Sequence, residues 1–417
     1  MYIKRAVEDA IKSISSESKV LLVTGPRQVG KTTTLKKLSG NERKYATLDD
    51  LDIRERAQRD PKLFMQEFSP PVLIDEVQYA PQLFPVIKTI VDSSDAMGSI
   101  WLTGSQHFHM MRNISESLAG RVGIVPMLGL SNAEIDERPS WVFAPDTDAL
   151  EEQEQHKKTF TVTEAFSRIY KGSLPAVYAI PVGNIENFYA SYVDTYIKRD
   201  VNDLAQVADQ AAFFRFMRVA AAHTGQTLNV SAMADSAQIA PNTAKHWLSV
   251  LTATGLIVLI EPFFINVLSR MRKAPKMHFL DLGLCAFLMG WPNATTIERS
   301  SSNGAFFESW VVGELYKGYL NAGMTPRFFY YRDQRKQEVD LLIQEGTTLY
   351  PIEIKKAASI RKSDANAISM LRKKLIKTEA EAGIDISYML GTGCVIGMND
   401  QVGLIEEKTL SVPAWLI

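Results

Sequence analysis

The sequence predicts an α/β protein that begins with a parallel β-sheet, continues through a helical segment, and ends in a second α/β domain. Near-continuous apolar runs that end in polar residues, at 20–24 and 71–76, indicate buried parallel strands. Helical periodicity dominates the middle of the chain, and strands return after residue 326. A length of 417 residues provides for several domains of about 100–200 residues each.

The first apolar run, VLLV at 20–23, leads into GPRQVGKT at 25–32 and then into the start of a helix, TTLKKL at 33–38. The spacing G-x-x-x-x-G-K-T is that of the P-loop, whose backbone N–H groups point at a β-phosphate. Lys31 would reach the β- and γ-phosphates of ATP, and Thr32 would ligate Mg²⁺. A plain glycine turn is the alternative. The predicted nucleotide contacts are Gly25, Pro26, Arg27, Gln28, Val29, Gly30, Lys31, Thr32 and Thr33.

A second apolar run, PVLIDEV at 71–77, ends in two carboxylates. A buried parallel strand delivers such acids to the edge of the sheet where ligands bind. Asp75 would hold Mg²⁺ through water, and Glu76 would orient or polarise the attacking water. A solvated strand end is the alternative interpretation, but the P-loop upstream favours the catalytic one.

A third strand is predicted at 99–105 (SIWLTGS), with a polar end. In P-loop ATPases of the AAA+ type a polar residue at this place contacts the γ-phosphate or the lytic water. Thr103, Ser105 and Gln106 are the candidates, and Ser105 is included among the predicted nucleotide contacts. A turn of small residues after the strand is the alternative.

Four segments, GPRQVGKT, VLIDEVQ, WLTGSQ and SLAGRV (117–122), resemble prokaryotic ATPases in which an AAA-type domain precedes a domain of unknown function, DUF4143. The resemblance extends into the C-terminal half, through LDLGL at 280–284 and GAFFESW at 304–310. It implies that Arg121 senses the γ-phosphate, in the same chain or from a neighbouring subunit of a homo-oligomer. A surface arginine in a salt bridge is the alternative.

The predicted ATPase core covers 1–135. An acidic, proline-containing stretch at 136–158 indicates an inter-domain linker or an exposed loop. Residues 159–222 would form the helical lid that closes on the nucleotide in AAA-type proteins. Within it, DTYIKRDV at 194–201 also resembles the family, and Arg199 is a second candidate for contacting the nucleotide, with an ion pair to Asp200 as the alternative.

A winged-helix-like domain is predicted at 223–290. Residues 228–237 and 242–254 form two helices around the turn at 239–241, and 256–260 with 262–265 would form the hairpin wing. The second helix would expose Asn242, Thr243, Lys245 and His246, a sparse cationic surface for phosphate. A role in protein packing is the alternative to DNA contact. The basic residues just after the wing, Arg270, Arg272, Lys273 and Lys276, could add contacts.

The last predicted domain, 291–417, carries acids in the order found in PD-(D/E)xK nucleases: Glu308 on a helix, Asp340 on a strand, and Glu353 and Lys355 on the next strand. Glu353 and Lys355 would share a face because side chains alternate along a strand. Asp340 and Glu353 would bind Mg²⁺, with Glu308 as an outer ligand, and Lys355 would position or deprotonate the attacking water. The proline that names the motif is absent before Asp340. Ordinary ion pairs on a retained, inactive fold are the alternative.

The segment 355–377 contains eight Lys or Arg residues and one acid, Asp364. Such a patch suits a phosphate backbone, whereas an amphipathic helix with Ile368, Leu371 and Leu375 inward is an equally good interpretation. A net charge of −1 means that any surface for DNA or RNA is local.

The two cysteines, Cys285 and Cys394, lie far apart and in no metal-ligand spacing, so we expect a reducing, cytoplasmic setting. The N-terminal residues lack a secretory apolar region, and no apolar run approaches the ~20 residues that span a bilayer, so no membrane association is expected.

Two hypotheses of function remain. In the first, a Mg²⁺-dependent ATPase is coupled to DNA or RNA binding and to cleavage by the C-terminal domain. In the second, ATP drives a regulatory switch whose C-terminal domain docks onto a protein partner without catalysis. A small-molecule kinase would leave 228–265 and 337–356 without a function.

Overall fold

A computed structural model describes residues 2–104, 117–156, 159, 161–179, 184–197, 209–263, 274–333, 337–381 and 388–417. Two β-sheets organise these residues, and helices pack around both. No helix within these ranges is long and apolar enough to cross a membrane.

The first sheet has five parallel strands in the order β2-β3-β4-β1-β5. β1 lies between β4 and β5, and every residue in it is buried, which explains its apolar sequence. The predicted strand–loop–helix unit around the P-loop is confirmed, as are the strands expected near 44, 72 and 100. The strands are β1 (Val20–Thr24), β2 (Lys44–Thr47), β3 (Val72–Asp75), β4 (Ile100–Gly104) and β5 (Val122–Pro126).

Helices cover both faces of this sheet, and the one that follows the P-loop starts at Lys31. Alternate residues of β1 point to opposite faces. Leu22 packs in a cluster confined to the N-terminal third of the chain, whereas Leu21 and Val23 join a larger cluster that continues into the C-terminal half. The helices are α1 (Glu8–Glu17), α2 (Lys31–Ser39), α3 (Leu51–Arg59), α4 (Pro61–Glu67) and α5 (Leu83–Asp92).

The acidic stretch 136–158 is not the exposed loop that its composition indicates. Its aromatic residues face inward: Phe143 is buried, and the Trp141 indole donates a 3.0 Å hydrogen bond to the carbonyl oxygen of Leu416. A short helix follows, and Glu154 at its end accepts a 2.9 Å hydrogen bond from the backbone N–H of Val402. The stretch 136–158 is therefore hydrogen-bonded to the C-terminal domain at two places.

Six helices of the described residues follow β5 before the second sheet begins, and a seventh follows the first strand of that sheet. Two short ones, α6 (Asn132–Ile135) and α7 (Thr147–Glu154), belong to the connecting stretch. The others form the region of the predicted lid and the helix-turn-helix: α8 (Val162–Lys171), α9 (Pro175–Ala179), α10 (Ile185–Tyr192), α11 (Gln210–Ala222) and, after strand β6 (Gln226–Thr227), α12 (Val230–Ala237). A π-helical turn, Val193–Ile197, extends α10.

The predicted second helix of the helix-turn-helix is α13 (Pro241–Ala253), and α12 precedes it as expected. The predicted hairpin is wrong in its second strand. β7 (Ile257–Pro262) continues through Pro262 without a turn after residue 260, and it pairs antiparallel with β8 (Lys276–Phe279). Residues 264 and 265 of the predicted second strand lie outside the described residues. The last residues of β7, Glu261 and Pro262, pair in parallel with β9 (Phe328–Arg332).

The second sheet therefore combines strands from both sides of residue 290, in the order β14-β15-β13-β11-β10-β9-β7-β8-β6, with β12 beside β11. The predicted antiparallel pair near 330 and 340 is confirmed as β9 and β10. The remaining strands are β10 (Glu338–Glu345), β11 (Thr348–Ile354), β12 (Met389–Leu390), β13 (Gly393–Gly397), β14 (Gly403–Glu406) and β15 (Thr409–Pro413).

The long helix α16, residues Asn303–Asn321, packs against the second sheet and also against the first domain. Its Glu314 accepts a 2.7 Å hydrogen bond from the backbone N–H of Asn132, and Lys317 donates a 2.8 Å bond to the carbonyl oxygen of Leu130. All of these groups are buried. The helices of this half are α14 (Leu282–Leu288), α15 (Ala294–Arg299), α16 (Asn303–Asn321) and α17 (Asn366–Glu381).

Candidate functional site

The P-loop curls around the end of β1 in a backbone conformation that two glycines permit. Gly25 has φ +143° and Gly30 has φ +93°, values that side chains disfavour. A β-carbon at Gly25 would lie 1.9 Å from the carbonyl oxygen of Met127, so no other residue fits there. The loop delivers Lys31 and Thr32 to the first turn of α2, as the sequence predicts.

Lys31 is buried and its ammonium group is held by the loop itself. It donates a 2.9 Å hydrogen bond to the carbonyl oxygen of Gly25 and a 2.8 Å bond to that of Pro26. Negatively charged phosphate oxygens could take the place of these neutral carbonyl oxygens and would be stronger acceptors for the ammonium group. The ammonium group of Lys31 therefore already lies at the P-loop, where the motif requires it to contact phosphate.

Asp75 is the centre of the polar network at the end of β3. The hydroxyl group of Thr32 donates a 2.6 Å hydrogen bond to Oδ1 of Asp75, and the Thr103 hydroxyl group also donates to Oδ1. Oδ2 accepts from the Tyr45 hydroxyl group at 3.2 Å and from Thr47 at 3.4 Å. The P-loop hydroxyl and the strand carboxylate are therefore already in contact.

Thr103 joins Asp75 to Glu76. It is fully buried on β4, the strand between β1 and β3, and its hydroxyl oxygen accepts a 3.1 Å hydrogen bond from the backbone N–H of Glu76. Glu76 itself has φ +57°, a left-handed conformation that turns the chain sharply after β3. Of the three polar candidates named from the sequence, Thr103 contacts Asp75 and the backbone of Glu76. The other two, Ser105 and Gln106, lie outside the described residues.

A cleft of about 380 Å³ opens in front of the loop. Glu76 lines one side, and Thr195, on the π-helical turn after α10, lines another. Thr195 was not among the candidates because nothing in its local sequence indicates a ligand contact. The P-loop residues that complete the lining are Arg27, Gln28, Gly30, Lys31, Thr32 and Thr33.

Arg5 supports the loop from behind. Its guanidinium group is buried and donates to the carbonyl oxygens of Val29 at 2.5 Å and Leu128 at 2.8 Å, and to the carboxylate of Glu134 at 2.8 Å. Nothing in the local sequence predicts this role for Arg5, which precedes the loop by some twenty positions. Because Arg5 donates to both the Val29 and the Leu128 carbonyl oxygens, it joins the P-loop to the residues just after β5.

The structure places Arg121 away from the cleft. Val122 of β5 pairs with Val20 of β1 in parallel register, so Arg121 lies beside the start of β1, whereas the P-loop leaves the opposite end, about 16 Å away. Arg121 forms a two-pronged ion pair with Asp92, with a 3.2 Å contact at Nη2. It cannot serve the nucleotide of its own chain from this position. Arg199 lies outside the described residues.

A second polar cluster lies where β8, β10, β11 and α16 meet, and Lys276 is at its centre. Lys276 is 3% exposed, and its Nζ lies 2.6 Å from Oε1 of Glu308, 2.6 Å from Oε1 of Glu338 and 3.9 Å from Oδ1 of Asp340. The expectation that Lys276 adds to a basic surface is therefore wrong, because it is buried among acids. Of its basic neighbours, Arg270, Arg272 and Lys273 lie outside the described residues.

The other side of the cluster confirms that Glu353 and Lys355 share a face. Lys355 Nζ lies 2.6 Å from Oε2 of Glu353 and 3.4 Å from Oδ2 of Asp340. The backbone N–H of Ile354 donates a 2.9 Å hydrogen bond to the same Asp340 oxygen. The chain thus brings together Glu308, Asp340, Glu353 and Lys355, as predicted, but with Lys276 among them.

Burial raises the pKa values of two acids in this cluster, Glu308 and Glu353. Burial raises the pKa of Glu308 to about 8, opposed by Lys276 and reinforced by Asp340 and Glu338. Burial and the neighbouring Asp340 also raise the pKa of Glu353. Burial tends to lower the pKa of Lys276, but the surrounding carboxylates outweigh it and raise that pKa overall.

Within the described ranges, no three or more His, Cys, Asp or Glu side chains are grouped in a way that could hold a metal ion. Lysine ammonium groups lie between the carboxylates instead. One acid nevertheless has an unsatisfied oxygen: Oε1 of Glu353 is buried and accepts no hydrogen bond from the residues that the structure describes. Unpartnered buried carboxylate oxygens are costly and often mark a missing ion or water.

Both predicted basic surfaces contain exposed cationic side chains. On α13, Asn242, Lys245 and His246 are exposed, as expected, while Trp247 and Leu248 face the core. On α17, Ile368 and Leu371 are buried, as the amphipathic interpretation expects, while the burial of the third predicted residue, Leu375, is not described. Among the side chains whose exposure is described, the exposed cations around α17 are Arg361, Lys362, Lys373 and Lys374.

The first site has the strand–loop–helix arrangement of a P-loop on a parallel sheet. Residues 17–136 match the family model described as AAA domain, and residues 303–400 match the domain of unknown function DUF4143. Residues 163–295, between them, match a further domain of unknown function, DUF8612.

Two curated relatives are the uncharacterized proteins Mb2031c of Mycobacterium bovis and Rv2008c of Mycobacterium tuberculosis. Each is 29% identical over 355 residues, which cover 84% of this chain and 73% of the relative. Solved structures that align include the Walker-type ATPase PABY2304 of Pyrococcus abyssi, with 15% identity, coverage of 69% of this chain and 96% of that chain, and a TM-score of 0.44. The ORC2 protein of Aeropyrum pernix aligns with 13% identity, 62% and 87% coverage, and a TM-score of 0.30.

Proposed function

We propose that this protein binds and hydrolyses ATP with Mg²⁺, and that the nucleotide cycle controls nucleic-acid binding by its C-terminal half. The observation that supports hydrolysis is the 2.6 Å hydrogen bond between Thr32 and Asp75, beside Lys31 and Glu76 in one cleft. An AAA domain match over the same residues agrees with this assignment.

The side chains divide the chemistry between them. Lys31 would exchange its carbonyl acceptors for β- and γ-phosphate oxygens. The Thr32 hydroxyl oxygen and the Asp75 carboxylate are hard donors that would hold Mg²⁺, and the ion would supply positive charge that offsets the charge of the phosphates. Glu76, held by its N–H bond to Thr103, would orient the attacking water.

Hydrolysis is tested with Lys31→Ala, which should lower the rate of ATP hydrolysis by about 100-fold or more because the phosphates lose their cation. Lys37→Ala is a matched control, since Lys37 is an exposed lysine on the same helix. Equal rates for Lys31→Ala and wild type would contradict the assignment of the nucleotide site.

Nucleic-acid binding is proposed for the surfaces formed by α13 and by the exposed cations around α17. A double-stranded and a single-stranded probe of DNA or RNA would be titrated at two salt concentrations, and stimulation of ATP hydrolysis would be measured with each. Replacement of Lys373 and Lys374 by glutamine should weaken binding and reduce its salt dependence, because fewer counterions are released. No binding and no stimulation by any probe would favour the alternative, a switch that docks onto a protein partner.

Metal-dependent cleavage of nucleic acid is a second candidate function. The buried Glu353 Oε1 that accepts no hydrogen bond within the described residues supports it, together with the nearby Asp340 carboxylate. These two acids would hold Mg²⁺, with Glu308 as the outer ligand and Lys355 at the attacking water. Asp340→Asn should abolish cleavage in Mg²⁺ or Mn²⁺, whereas Asp400→Asn, an exposed control, should not. Equal cleavage by Asp340→Asn and wild type would rule out this site.

A further inference from the structure

Among the described residues, two cationic side chains line the nucleotide cleft: Lys31 and Arg27. Lys31 is accounted for by the P-loop motif. Arg121 is held by Asp92 at the opposite end of the sheet. Arg27 therefore stands out as a cation within the P-loop whose role the motif does not explain.

Tyr79 fixes the position of Arg27. Its hydroxyl oxygen accepts a 3.1 Å hydrogen bond from Nη2 of Arg27. Tyr79 is itself held from the other side, because the guanidinium group of Arg54 stacks 4.1 Å from its ring centroid and the Gln58 amide donates a 2.5 Å bond to its carbonyl oxygen. The arginine is thus directed by a rigid aromatic side chain anchored on α3.

The same turn connects Arg27 to Glu76. Tyr79 ends the short helical turn Val77–Tyr79 that begins directly after Glu76, and the backbone N–H of Tyr79 bonds to the carbonyl oxygen of Glu76 at 3.1 Å. Arg27 and Glu76 line the same cleft. A guanidinium group and a carboxylate therefore line the same cleft and are connected through the turn that carries Tyr79.

We propose that Arg27 contacts the γ-phosphate during ATP hydrolysis and stabilises the charge of the transition state, supplied by the P-loop of the same chain and positioned by Tyr79. The proposal rests on the ATPase activity proposed above. As the water oxygen bonds to the γ-phosphorus, the bond from that phosphorus to the bridging oxygen breaks, and the bridging oxygen leaves on ADP with the electron pair. One water proton passes to Glu76 and then to solvent.

A guanidinium group suits this task because it is planar, permanently charged and able to donate two parallel hydrogen bonds to phosphate oxygens. An arginine supplied within the same chain is one of the known arrangements for phosphoryl transfer. Because the charge grows during the reaction, the contact should strengthen in the transition state and act on kcat more than on ATP affinity.

The test compares Arg27→Ala, Arg27→Lys and Tyr79→Phe with wild type, and uses Arg59→Ala, an exposed arginine on α3, as the control. We expect kcat to fall about 100-fold or more in Arg27→Ala, while the dissociation constant for a non-hydrolysable ATP analogue changes less than about threefold. Arg27→Lys should recover a small part of kcat, and Tyr79→Phe should lower kcat with KM unchanged. Trapping of ADP with aluminium fluoride should be lost in Arg27→Ala while ADP binding remains.

Two outcomes would overturn the proposal while leaving the ATPase assignment intact. One is wild-type kcat in Arg27→Ala, with Lys31→Ala inactive. The other is rescue of activity when Arg27→Ala is mixed with Lys31→Ala, since that would show an arginine acting between chains. If neither wild type nor any variant hydrolyses ATP, both proposals fail together. Should Arg27→Ala melt below the assay temperature, Tyr79→Phe provides the same comparison with only one oxygen removed.

Discussion

Lys276 Nζ lies 2.6 Å from Oε1 of Glu308, and this contact joins the strand that follows the helix-turn-helix segment to the long helix of the C-terminal domain. Both side chains are largely withdrawn from water. The pair is one part of a buried cluster in which Glu338, Asp340 and Glu353 also take part, with Lys355 on the far side and a half-exposed Arg332 at the rim. Removal of one member should therefore leave buried charge without compensation.

Stability should depend on pH through Glu308. Because its pKa in the folded protein is raised to about 8, the folded state binds a proton that the unfolded state loses near its ordinary pKa of about 4.3. Stability from this group is therefore fully present at low pH and is lost as pH rises through the window up to about 8. Thermal unfolding between pH 5 and 8.5 should show a smaller decline in Glu308→Gln than in wild type. Identical slopes would contradict this assignment.

Thr103→Val should damage both stability and hydrolysis. The valine has nearly the same shape but leaves the backbone N–H of Glu76 without its acceptor, which costs about 1–3 kcal/mol in a buried position. We expect a lower melting temperature and a rate of ATP hydrolysis reduced by about tenfold or more, since Asp75 and Glu76 lose a common support. Thr89→Val on the exposed face of α5 is the control. A rate unchanged from wild type would show that Thr103 has no part in positioning the acids.

Arg5→Met should destabilise the first domain by about 3–5 kcal/mol, because it leaves Glu134 buried without its cation. The carbonyl oxygen of Val29 also loses its donor, so the affinity for ATP should fall with stability. Chemical denaturation and nucleotide titration measure the two effects. Lys4→Met, at the adjacent exposed position, should change neither. Wild-type stability in Arg5→Met would contradict the structural role.

Gly255→Ala and Gly290→Ala form a matched pair. Both glycines follow a helix with φ near +70°, so alanine should cost each a similar amount, on the order of 1 kcal/mol. A β-carbon at Gly255 would lie 3.1 Å from the ring of Pro26 in the P-loop, whereas one at Gly290 meets nothing within 4 Å. We therefore expect weaker ATP binding in Gly255→Ala alone. Equal nucleotide affinity in both would show that the contact with Pro26 carries no coupling.

The parts of the site that sequence predicts well are those built from neighbouring residues. The P-loop, Asp75 with Glu76, and Glu353 with Lys355 each lie within one loop or strand, so spacing and strand alternation decide their geometry. Thr103 could be named among three candidates but not chosen, because its bond to Asp75 depends on β4 lying between β1 and β3. That order is a property of the whole sheet.

Long-range packing explains the errors. Lys276 looks like part of a basic surface in its local sequence, and only the meeting of β8 with residues 308 and 338 reveals it as a buried counter-ion. The partner of β7 was misplaced because the adjacent residues 262–265 offered a shorter connection. In the acidic stretch, Phe143 is buried and Trp141 is partly buried, and both contact residues that come much later in the chain, Tyr319 and Leu416.

The parallel pairing of β7 with β9 has a consequence for fragments of this protein. The match to DUF8612 ends at residue 295, and the match to DUF4143 begins at residue 303. The second sheet nevertheless contains strands from both matched segments, and β7 and β9 are paired across this division. A chain cleaved between these residues would have two open strand edges if its halves were to separate. The halves should therefore copurify after cleavage, and when produced separately they should recombine into one folded complex.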